Sequence, residues 1–166
     1  MLIFQLIHAF LGLNAIVGGI AVCIRMISGR SFEEWIAHFL KFSLAASAVG
    51  LVLSLDHTGV VQWLTILGVC GSTLTLVSQR KARANGEWST TLVLGTMCVL
   101  CLDSLIVIVH VFNVLTLCTI LGWPQPEFLY PVSMASTVLL FAVLSPIAVK
   151  RKHFRERAPV LHKVSR

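Results

Sequence analysis

One carboxylate and a scatter of imidazoles are the side chains with chemistry to offer. Asp103 is the one acidic residue enclosed on both sides by a long apolar run, and Thr96, Asp103, His110 and Asn113 recur around it at helical spacing. A carboxylate placed deep in a membrane must be protonated, paired or facing a wet cavity, since a bare charge there costs several kcal/mol. Asp103 therefore reads either as a proton relay or ion site, or as a neutral acid hydrogen-bonded to a neighbouring helix.

The histidines divide by position. His8 and His110 lie toward one end of their apolar runs, and His57 lies in a turn between runs on the same side. Imidazoles brought together from separate helices are how a bundle builds a haem or metal site. Asp56 adjoins His57 and is the kind of neighbour that orients a ligating ring. The set can hold b-type haem or a transition metal, or each ring can simply bond across a helix interface. His38 sits at the opposite end of its run, and His153 and His162 belong to the C-terminal segment.

Cys98-Val99-Leu100-Cys101 has the spacing of a redox dithiol, but no base or helix N-terminus is at hand to form a thiolate. With five cysteines, an odd number set mostly within apolar runs, small buried packing residues are expected rather than a disulfide framework. No phosphate-binding loop, nucleophile elbow or zinc-protease helix is present.

Whatever positions these groups is apolar. The chain has 166 residues, 57% hydrophobic and 12% charged, with a mean hydropathy of +0.89, which excludes an ordinary soluble domain. Its formal charge of +6 comes from short basic stretches between apolar runs, a pattern of membrane topology and not of a nucleic-acid surface. Crossing about 30 Å of hydrocarbon takes about 20 apolar residues.

Five runs meet that need: residues 2–24, 35–55, 60–77, 90–121 and 128–149. The expected fold is an all-α bundle of five transmembrane helices. It comprises one membrane domain, 1–149, followed by a basic tail, 150–166. Ser31-Phe32-Glu33-Glu34 is a capping box at the start of the second helix. Asp56-His57-Thr58-Gly59 is so short a link that the second and third helices must be antiparallel neighbours.

All 13 Lys and Arg residues fall in the loops after the first and third runs, in the C-terminal tail, or at the adjoining helix ends. By the positive-inside rule that side is cytoplasmic and the N-terminus lies outside. Lys41, a turn inside the second run, can snorkel to the same surface. Trp35 and Trp88 on the inner side and Trp63 and Trp123 on the outer mark aromatic belts. Lys150, Arg151, Lys152, Arg155 and Arg157 form a juxtamembrane cluster suited to anionic lipid headgroups.

Small residues mark helix contacts in lipid, where no hydrophobic force joins helices. His8, Gly12, Ala15, Gly19 and Cys23 form one such stripe, and Ser43, Ser47, Gly50 and Ser54 a second.

The order His8-x-x-x-Gly12, Gly18-Gly19, Arg25, His38-Phe39, Gly50 and Arg80…Gly86-Glu87-Trp88 resembles small bacterial membrane proteins of the DUF2306-like group. The resemblance covers roughly residues 7–100. It implies a helical bundle in a bacterial cytoplasmic membrane and draws attention to His8 and His38, without implying an activity.

These observations lead to a non-enzymatic accessory or scaffold subunit, held among other membrane subunits or copies of itself in the lipid bilayer, with no nucleic-acid partner. Two alternatives stand beside it: a haem- or metal-binding electron-transfer component using His8, His110 and His57, and a small proton-coupled transporter centred on Asp103.

Overall fold

The computed structural model describes residues 2–28, 30, 33–53, 59–84, 89–119 and 129–164. They form α1 (Leu2–Ile27), α2 (Glu33–Leu53), α3 (Val60–Ala84), α4 (Ser89–Thr119) and α5 (Leu129–Val164). All five are long and apolar enough to cross a membrane. The capping hydroxyl expected at Ser31, together with His57 and Trp123, lies outside the described residues.

Helix ends depart from the apolar boundaries in two places. α3 continues from 77 to Ala84 and α5 from 149 to Val164, so the start of the basic tail is helical. The reason is local. Gln79 to Ala84 and Lys150 to Arg157 are good helix formers without Gly or Pro, so polarity changes there while backbone preference does not. Pro131 falls in the first turn of α5, where its missing N–H costs nothing.

Successive helices pack as neighbours, and α1 closes the bundle against α4 and α5 while α2 also meets α4. α4 is the central element: half of its most apolar window is buried, against 6% for α5. α5 thus packs on α4 and α1 and leaves Leu139 and Val143 exposed.

The dense core is confined to the basic end. Val22 and Met26 from the last turns of α1 meet Ile36, Phe39 and Leu40 from the first turns of α2, and Leu92, Val93, Met97, Val99 and Leu100 of α4 complete the cluster with Ala148 of α5. Phe39, fully buried, is its keystone. A Cβ on Gly18 would touch it at 3.5 Å, and one on Gly19 would press its ring edge and overlap Leu100. Two adjacent glycines therefore form the groove that admits the ring. At this same end the Arg25 guanidinium lies 5.2 Å from the Trp35 ring centroid, tying α1 to α2.

Candidate functional site

Away from the basic end the bundle loosens, and a half-open cavity of about 530 Å³ separates α1, α2 and α4. That is within the roughly 300–1,000 Å³ typical of ligand pockets. Its walls are mainly apolar, among them Leu13, Ile16, Ile106 and Val107, and its polar contributors are Gln5, His8, Ser47, Asp103 and His110.

His8 of α1 and His110 of α4 meet beside this cavity, with ring centroids 5.7 Å apart and planes inclined at 41°. His8 Nδ1 is 3.0 Å from the Ala46 carbonyl oxygen, and His110 Nδ1 is 2.8 Å from that of Ile106. A carbonyl can only accept, so each Nδ1–H donates and each Nε2 keeps a lone pair for something else. Gly50 makes room for this arrangement. A Cβ there would come within 2.9 Å of His8 Cε1 and 3.1 Å of Thr65 Cγ2.

Asp103 lines the same cavity two helical turns along α4 from His110, a rise of about 10 Å. It is 7% exposed. Ser43 of α2 hydrogen-bonds its carboxyl, and the Ser43 hydroxyl is 3.2 Å from that of Ser72 on α3, so one polar chain links three helices. Asp103 Oδ2 and Ser47 Oγ are nonetheless buried without a hydrogen-bond partner among the described residues. Ser47 packs against Gly68, where a Cβ would stand 2.6 Å from its hydroxyl oxygen. Buried polar atoms are normally bonded; these two are closed off from solvent inside the bundle, the Ser47 hydroxyl against α3, which does not line the cavity.

The remaining expectations fall as follows. Ala15, Gly19, Ser47 and Gly50 are buried between helices. Gly12 departs from its stripe: a Cβ there would meet nothing within 4 Å, because it faces the cavity. Thr96 is buried, but its hydroxyl donates to the Leu92 carbonyl of its own helix. Asn113 lies on the α4 backbone with its side chain outside the described set, as do those of Lys152, Arg155 and Arg157 on α5. Lys150 and Arg151 are exposed. His38 sits 4.7 Å from the Phe42 ring, on the first turns of α2.

Cys98 and Cys70 are exposed, Cys23 and Cys101 half-buried, and all four are free thiols. Among the described residues no three of His, Cys, Asp and Glu gather as a metal site. Sequence reasoning missed the Asp103–Ser43–Ser72 link; Ser43 stood in a small-residue stripe, which signalled a helix contact but not its partner. No family model, curated protein or solved structure matches the chain, so the resemblance of residues 7–100 rests on its landmarks alone.

Proposed function

We propose that this is a multi-pass protein of a bacterial cytoplasmic membrane, N-terminus outside and C-terminus within, acting as a non-enzymatic subunit that holds a small ligand in its outer-half cavity. The observation that carries this reading is the half-open cavity of about 530 Å³ between α1, α2 and α4, apolar except where Gln5, His8, Ser47, Asp103 and His110 line it.

The accessory role keeps its place, with one change of emphasis. The small residues at Gly18, Gly19, Ser47, Gly50 and Gly68 are used inside the chain, so partner subunits would meet other faces. A transporter centred on Asp103 would need a route through the basic half, which Phe39 and its neighbours fill.

The test is extraction of small molecules from the protein purified in native nanodiscs, compared with Gly12→Phe. Gly12 has open space in front of it, so phenylalanine should fill the cavity without disturbing a helix contact. A specific molecule found with the wild type and lost in the variant supports the reading; identical extracts refute it.

A second reading is favoured by the imidazole pair. His8 and His110 come from separate helices with ring centroids 5.7 Å apart, and b-type haem is held by two such ligands. Haem supplementation that yields a Soret band in the wild type but not in His8→Ala or His110→Ala would establish it. A colourless wild-type preparation would dismiss it.

A further inference from the structure

Exposure traces the mouth of the cavity. Ala9 and Leu13 of α1 and Val107 and Val111 of α4 line it and are exposed, each pair one turn apart, while Ala15 and Ile106 behind them are buried. His8 meets His110, and a Cβ on Gly19 would overlap Leu100, so α1 and α4 run antiparallel and the two exposed pairs lie at matching levels. The opening is a slit between these helices, to whose lining α5 contributes no residue. Its rims belong to the apolar windows Ile3–Ile27 and Thr90–Phe112, so in a membrane the slit opens onto lipid chains and not onto water.

The lining also has a polarity. Gln5, His8 and His110 stand at its outer end, and Leu13, Ile16 and Ile106 follow deeper in. At the inner end Asp103 Oδ2 and Ser47 Oγ are closed off. From Gln5 to Ile16 the lining runs about 16 Å along α1, close to the roughly 15 Å of one hydrocarbon leaflet.

We infer that the cavity seats an uncharged, single-chain lipid alcohol taken sideways from the outer leaflet, its hydroxyl among Gln5, His8 and His110 and its chain along Leu13, Ile16 and Ile106. This rests on the ligand-holding reading above and names the class of ligand.

Hydrogen bonding selects the hydroxyl. His8 and His110 each commit Nδ1–H to a backbone carbonyl, so the remaining nitrogen of the neutral ring accepts, and the Gln5 amide can both donate and accept. A hydroxyl answers both, whereas a quinone or an ether brings acceptors alone. Charge and depth exclude the commoner lipids. No Lys or Arg stands at this end of the apolar runs, so a carboxylate would be buried without a counter-ion. His8 lies five residues, about 7 Å, inside the span that begins at Ile3, deeper than a phospholipid carries its headgroup.

The experiment uses the full chain in phosphatidylcholine vesicles and four photoprobes bearing a mid-chain diazirine: hexadecanol, its methyl ether, hexadecanoate, and a phosphatidylcholine with the same acyl chain. Crosslinks at Leu139 and Val143, exposed on α5, report ordinary lipid contact; those at Ile106, buried behind the slit, report occupancy. At equal labelling of α5, hexadecanol is expected to label Ile106 about fivefold more than the ether or the phospholipid, the effect of one hydrogen bond, and hexadecanoate less still. Gly12→Phe should abolish the Ile106 label and keep those of α5, which also shows the bundle inserted. His110→Leu, at an exposed position, should bring hexadecanol down to the ether.

Equal labelling of Ile106 by all four probes, or a preference for hexadecanol that survives His110→Leu, overturns the inference and leaves the cavity reading standing. So does an unlabelled Ile106 when extraction still finds a molecule that Gly12→Phe loses. If Ile106 is unlabelled and the extracts of wild type and Gly12→Phe are identical, both fall.

Discussion

Replacing Asp103 with leucine should make the ligand-free protein more stable. On insertion scales an aspartate at the centre of a span costs about 2.5–3.5 kcal/mol and a leucine contributes about −0.5, a ceiling near 4 kcal/mol. The bundle recovers part of this. Asp103 keeps one hydrogen bond, from Ser43, and such a bond within a membrane is worth about 0.6–1.5 kcal/mol. Its removal orphans nothing new, because Ser43 retains Ser72 as a partner. The extra volume of leucine projects into about 530 Å³ of open space, so no overpacking term arises.

The balance is a gain of at most about 2.5–3.4 kcal/mol, with Asp103→Asn intermediate. Reversible unfolding in mixed dodecylmaltoside–dodecyl sulfate micelles measures it. A leucine variant less stable than the wild type would refute the reasoning, since it would mean that Asp103 is fully partnered and belongs to the scaffold.

Three further outcomes follow from the same contacts. Ser43→Ala should cost about 1–3 kcal/mol, because it strips Asp103 of its hydrogen bond, whereas Ser72→Ala should cost less than about 1 kcal/mol; the same micelle titration ranks them. Gly50→Ala should cost about 1–3 kcal/mol through its collision with His8 and Thr65, and His8→Ala in the same chain should restore part of the loss, a coupling that a double-mutant cycle reads directly. Trp35→Leu should lose only about 0.5–1 kcal/mol with the Arg25 contact, seen as a small shift of the unfolding midpoint.

Depth was legible in the sequence and rotation was not. Each residue adds about 1.5 Å along a helix, so the run lengths placed His8 and His110 at one level and Asp103 near mid-span without any knowledge of neighbours. The five helices followed from the same arithmetic. Which way a helix turns is a different matter. α4 is apolar apart from the stripe of Thr96, Asp103, His110 and Asn113, and that stripe does not say which neighbouring helix it meets. The Asp103–Ser43 contact is decided by how α2 and α4 interlock, which no single helix encodes. Gly12 shows the same limit, since a glycine in a small-residue stripe can admit a neighbouring helix, as Gly19 does, or leave a space. The overrun of α3 and α5 has another source: hydropathy reports where lipid could end, and helix propensity reports where the helix ends.

The two halves of the bundle answer to different demands. At the basic end, Phe39 sits between Gly18 and Gly19, the core cluster is closed, and every substitution that alters volume should be felt as stability. At the other end a half-open cavity separates α1, α2 and α4, an acid oxygen and a hydroxyl are buried without a hydrogen-bond partner among the described residues, and two imidazoles meet with Nδ1 of each on a backbone carbonyl. A chain selected only to fold would have closed this half as well, with leucine where Asp103 stands. Local rules broken without compensation are expected where a protein meets its ligand. The stability that Asp103→Leu should recover is therefore also a measure of what the open half would give up in holding the proposed ligand.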